Sequence, residues 1–155
     1  MVSTSMPEPG LFQRRVDALR RNQDPRLLAR LPGGWAVLSD RQPTPIIGCC
    51  MLIPDPVVSS VNDLEPDARS AFMNDLVRLG DAVLKVTAAE RVNYLILCNQ
   101  VPELHGHVIP RFGDEVSEAR RQGPFEAYDF AHASPVDPLG VHAGLIEELR
   151  IALEE

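Results

Sequence analysis

Residues 103–111 read Glu-Leu-His-Gly-His-Val-Ile-Pro-Arg, and this alternation constrains the fold more than any other stretch. On a β-strand successive side chains point to opposite faces, so Glu103, His105, His107, Ile109 and Arg111 share one face, with neighbours in that set about 6.6 Å apart along the backbone. Leu104, the side-chain-free Gly106 and Val108 face the other way. A strand divided like this packs one face on a core and lines a site with the other.

The rest of the chain supplies elements to build that core. Pro66 suits the first turn of a helix, and Phe72, Leu76, Leu79, Val83 and Val86 follow at helical spacings, which predicts a helix over 66–87 with one stripe for a sheet. Trp35 to Ser39, Ile46 to Ile53 and Arg91 to Cys98 read as strands; the second is apolar on both faces apart from Gly48, as a central strand would be. Asp40 to Pro45 is a polar, proline-bearing loop, and Asn99-Gln100-Val101-Pro102 is long enough only for a turn. Upstream, Leu11 to Asn22 predicts a short helix whose Arg14, Arg15, Arg20 and Arg21 read as a solvated face. Asp24-Pro25 then opens a second helical stretch to Leu31, stopped by Pro32-Gly33-Gly34. Downstream, 113–138 carries little pattern and reads as an irregular flap holding Phe125, Tyr128 and Phe130, before a terminal helix with Leu145, Ile146, Leu149 and Leu153 on one side. With 155 residues the chain is expected to form one domain: a helical extension over 1–34, a core over 35–112, and the flap and C-terminal helix over 113–155.

Charge narrows the partners. Fifteen Lys and Arg against 22 Asp and Glu leave a net charge of −7, which disfavours duplex nucleic acid and anionic membranes, so a phosphate ligand needs a local site. Lys85 is the only lysine, and charge-assisted phosphate contacts would therefore come from guanidinium groups. The opening ten residues lack a basic start followed by an apolar run, and no stretch reaches about 18 apolar residues, which predicts a cytoplasmic protein without a membrane anchor. Cys49, Cys50 and Cys98 form neither a CxxC nor an even disulfide framework, and read as buried thiols of a reduced protein.

From the residues alone, four accounts of the His-x-His strand stay open. The histidines could be half-exposed side chains of an edge strand. They could chelate a metal, with Glu103 as an oxygen ligand, although His132 and His142 sit at no ligand spacing. A neutral imidazole could attack phosphorus while its other ring nitrogen is held. Or the strand could bind a nucleotide without catalysis.

At these residues the sequence resembles the HIT (histidine triad) superfamily of nucleotidyl hydrolases and transferases, whose signature alternates three histidines with apolar residues and often continues into Pro-Arg. Ser39-Asp40-Arg41-Gln42-Pro43, Gly48 and the strand ending Leu52-Ile53-Pro54 resemble the family's ribose-binding loop and following strand, and Asp63-Leu64-Glu65-Pro66 its long helix's start, so the likeness runs through about 35–112. It implies an α+β fold with an antiparallel sheet, a long helix on one face, a C-terminal helix, and a homodimer. It also implies His105 as nucleophile, His107 as a phosphate-positioning histidine and Asp40 as acceptor of ribose hydroxyls. Asn99, Gln100, Glu103 and Arg111 are the remaining candidates for substrate contacts, Arg111 as part of a local positive pocket. The sequence departs from the family in three places: Glu103 stands at the first histidine, Cys49 where many members have a histidine, and the loop before the signature is cut to Asn99–Pro102. The implied reaction is hydrolysis or transfer at the α-phosphate of a purine nucleotide derivative, a dinucleoside polyphosphate or a nucleoside phosphoramidate. It requires no cofactor, magnesium arriving only with a polyphosphate. A nucleotide-binding protein with little turnover ranks second and a metal-binding protein third.

Overall fold

The computed structural model describes residues 9–155. Five strands, β1 (Leu27–Leu31), β2 (Gly34–Leu38), β3 (Cys50–Ile53), β4 (Arg91–Leu95) and β5 (Gly106–Arg111), form one sheet in the order β1-β2-β3-β5-β4. Every neighbouring pair is antiparallel. The α-helices among the described residues are α1 (Leu11–Arg20), α2 (Pro66–Thr87), the single turns α3 (Ser117–Arg120) and α4 (Pro124–Ala127), and α5 (Ala143–Glu154).

The alternation along each strand decides which helix lies on which face. Ala36 and Leu38 of β2, Cys50 and Leu52 of β3, and Val108 of β5 are buried with Phe72, Leu76, Leu79 and Val83 of α2 and Ile146 and Leu149 of α5. Gly106 is glycine because a Cβ there would stand 2.6 Å from Leu76 Cδ1. The α2 helix begins with Pro66 in its first turn and ends where Ala88 turns left-handed at φ 58°, donating its N–H to Leu84 O.

The opposite face carries two separate covers. Val37, Met51 and Ile53 receive Phe12, Val16 and Leu19 of α1, while Ile109, Ile46 and Cys49 receive Phe112, just past β5, and Tyr128 and Phe130 from the flap. Between these covers the sheet face carrying His105 and His107 remains open as a cleft.

Three expectations change. Residues 27–31 are strand β1, not a helix, and 1–34 is therefore not wholly a helical extension. Leu, Ala and Arg are good helix formers, but pairing with β2 across the Pro32-Gly33 turn overrides them, and Asp75 of α2 fixes that turn by accepting the Gly33 N–H at 2.6 Å. The strand expected over 46–53 pairs only over Cys50–Ile53. Gln42 is fully buried and takes the ladder's place: its amide nitrogen donates to Ser39 O and Cys49 O, and its oxygen accepts from Gly48 N and Cys49 N. Finally, β4 stops at Leu95, short of Cys98, which is left-handed at φ 54° and turns the chain towards the signature.

Candidate functional site

His105 lies just before β5, 7% exposed, with Nδ1 2.7 Å from Glu103 O. A carbonyl only accepts, so Nδ1 carries the proton and Nε2 keeps its lone pair. The ring stacks on Phe12 at 4.2 Å and 22° and meets the His107 ring edge-on at 4.9 Å. His107 in turn meets Phe125 at 5.1 Å, and Phe125 meets Phe130 at 4.7 Å, so an aromatic row runs from α1 across the histidines to the flap. Burial lowers the His105 pKa; its bond to Glu103 O opposes this, and the positive charge of Arg15 adds to the lowering. Burial, reinforced by His105, brings His107 down to about 4. Both imidazoles are therefore neutral at pH 7.

The histidines line a cleft of about 660 Å³, within the size range of small-molecule sites. Asp40, Asn99 and Gln100 line it too, as do Phe12 and Arg15 of α1 and Phe125 and Phe130 of the flap. Asp40 is half-exposed and already paired: Arg26 donates to its Oδ1, and Arg15 Nη2 lies 3.2 Å from the same oxygen. Arg26 is itself held by both oxygens of Asp24, at 2.8 and 2.9 Å.

Two expected contacts fall elsewhere. Glu103 belongs to the loop before β5, not to the strand's alternation, and its carboxylate accepts the N–H groups of Phe12 at 3.0 Å and Gln13 at 3.2 Å. It caps the first turn of α1, where free backbone donors and the helix dipole favour an anion. Arg111 is absent from the cleft lining. Its guanidinium bonds the Glu115 carboxylate, Asn93 Oδ1, Gln122 O and Ala119 O, tying β5 to the start of the flap. Tyr128 completes that knot by donating to Glu115 at 2.5 Å.

Arg15 is the residue that the reading of 11–22 as a solvated arginine face missed. It is 6% exposed, and its signal lay in periodicity: Phe12, Arg15, Val16 and Leu19 follow the i, i+3, i+4, i+7 spacing of a buried stripe, with an arginine inside it. Phe12 and Phe125 gave no comparable signal, because their places beside the histidines depend on where α1 and the flap dock. Among the described residues, no group of three or more His, Cys, Asp or Glu is placed to hold a metal ion. Cys49 borders the cleft as a free thiol that burial pushes up to about 12.

A five-stranded antiparallel sheet backed by one long helix, with two neutral histidines presented at the start of a strand, defines the class as α+β with a histidine-signature cleft. The HIT domain family matches residues 35–114, and the chain belongs to that family. No curated protein matches the sequence. Among solved structures, a histidine triad (HIT) protein from Sinorhizobium meliloti is 21% identical with a TM-score of 0.67, the match covering 86% of this chain and 93% of that one. A hypothetical histidine triad nucleotide-binding protein from Sulfolobus tokodaii is 13% identical with a TM-score of 0.66, covering 89% of each chain. A zinc-bound histidine triad family protein from Mycobacterium smegmatis is 18% identical with a TM-score of 0.64, covering 90% of this chain and 92% of that one. At these identities the likeness establishes the shared fold.

Proposed function

We propose that the chain hydrolyses, or transfers the nucleotidyl group of, a purine nucleotide derivative of the dinucleoside polyphosphate or nucleoside phosphoramidate type, with His105 attacking the α-phosphate. The observation that carries this reading is the bond from His105 Nδ1–H to Glu103 O, which leaves the Nε2 lone pair of a neutral ring at the cleft. In the first step Nε2 bonds to phosphorus and the bond to the bridging oxygen or nitrogen breaks, the leaving group taking a proton from solvent. Water or an acceptor hydroxyl then attacks phosphorus and gives up its proton to solvent, the P–N bond breaks and the lone pair returns to Nε2. His107, neutral and edge-on to His105, offers one ring N–H to a phosphoryl oxygen. Asn99 and Gln100 are amide donors on the same cleft, and Asp40, which also lines it, is the proposed acceptor of ribose hydroxyls. No cofactor enters these steps, and magnesium would arrive only with a polyphosphate substrate.

The test is a panel of adenine and guanine dinucleoside polyphosphates and phosphoramidates assayed with wild type and His105→Ala. The variant is expected to retain less than about one-thousandth of the wild-type turnover; equal turnover would remove His105 from the chemistry. A nucleotide-binding protein with little turnover is the second reading, favoured by Glu103, whose carboxylate at the first signature position is committed to α1. Nucleotide binding by a wild type that turns over none of the panel would establish it.

The resemblance also supports a homodimer. The β4 edge of the sheet has no partner strand among the described residues, and Tyr94 and Leu97 near it are exposed, so a second copy of this chain is its proposed cover.

A further inference from the structure

We propose that Arg15 of α1 is an oxyanion-binding residue of the cleft, its guanidinium fork taking non-bridging phosphoryl oxygens of the nucleotide held at His105. This rests on the nucleotide reading above and adds a residue that lies outside the matched HIT domain.

Three observations converge. First, Arg15 lines the same cleft as His105 and His107, yet it is only 6% exposed and none of Nε, Nη1 and Nη2 has a hydrogen-bond partner among the described residues. Buried guanidinium donors are expensive to leave unmatched, and a planar fork of them suits phosphoryl oxygens. Second, Asp40 is an ion-pair partner of Arg15 but leaves its donors without a hydrogen bond. Its nearest oxygen is 3.2 Å from Arg15 Nη2 outside hydrogen-bonding geometry, and the same oxygen accepts from Arg26 instead. Third, α1 is fixed over the histidines. Glu103 caps its first turn, Phe12 stacks on His105, and Val16 and Leu19 are buried against β2 and β3. The residue at the first signature position thus does not meet the phosphate itself; it docks the helix that brings a cation there.

The experiment compares wild type, Arg15→Gln and Arg15→Lys in calorimetric titrations with adenosine 5′-monophosphate and with adenosine. Losing the fork is expected to weaken the monophosphate about 10- to 100-fold while adenosine changes less than about twofold; lysine, a point charge without the fork, should fall between. Unchanged monophosphate affinity in a folded Arg15→Gln protein, or equal loss for both ligands, would overturn the proposal. If Arg15→Gln does not fold, Arg15→Lys decides on the same criterion. Monophosphate binding that depends on Arg15 in a protein without turnover would sink the nucleophile and keep this inference. Full turnover in Arg15→Gln would do the reverse. Should wild type bind no nucleotide, inorganic pyrophosphate decides: a rise in melting temperature in wild type that is lost in Arg15→Gln supports an anion site, and no rise in wild type ends it.

Discussion

Burial holds His107 at about 4 and His105 below the ordinary histidine value, so between those values and about 6.5 the folded chain binds fewer protons than the unfolded one. Stability then rises with pH across that window and is lost as pH falls from about 6.5 towards 4. The carboxylates of Asp24, Asp55 and Glu115 are held below their ordinary values and contribute at lower pH. Melting temperature is therefore expected to drop between pH 6.5 and 4, and His107→Gln is expected to flatten that drop; an equally steep profile in the variant would count against a buried neutral His107. For activity, kcat/KM should hold from pH 8 to 6.5 and fall below it, because protonation removes the Nε2 lone pair of His105. An acid midpoint above 6.5 would contradict the geometry. The pair of histidines was legible in the sequence from strand alternation. Arg111, which alternation set on the same face, instead spends its donors on Glu115 and three oxygens of neighbouring segments. Alternation names a face but not which side chains a flap will claim.

Helix α1 depends on contacts far from it in sequence. Glu103 meets it 91 and 90 residues away, at Phe12 and Gln13. Replacing Glu103 with Ala removes two charge-assisted bonds and is expected to cost about 1–3 kcal/mol, read by denaturant melts, with faster amide exchange at Phe12 and Gln13. Protection unchanged at those amides would show that apolar contacts alone hold the helix. The α2 helix was legible because its stripe, its first-turn proline and its end agree with one another. β1 was not, since Leu27 to Leu31 favours a helix locally and becomes a strand only by pairing with β2. The loop at 46–49 was equally hidden, because a single side chain, Gln42, supplies the bonds that a neighbouring strand would otherwise give.

Across the whole molecule, a net charge of −7 coexists with arginines drawn to one cleft, Arg15 within it and Arg26 behind Asp40. The charge argues against long polyanions, and the local site leaves room for a small one. Light scattering after gel filtration is expected to give twice 17.1 kDa, and a monomer mass at tens of micromolar chain would remove the β4 edge as an interface between copies. Among the described residues, no helix is long and apolar enough to cross a membrane. What the sequence determined by itself was local and periodic: the histidine strand, the long helix with its apolar stripe, and through them the family. Periodicity fixes which side chains leave an element together, since backbone geometry alone sets it. Only the tertiary structure decided what closes the cleft, because docking α1 and the flap depends on contacts between residues distant in the chain. It turned Glu103 from ligand to anchor, moved Arg111 out of the site, and set Arg15 beside His105.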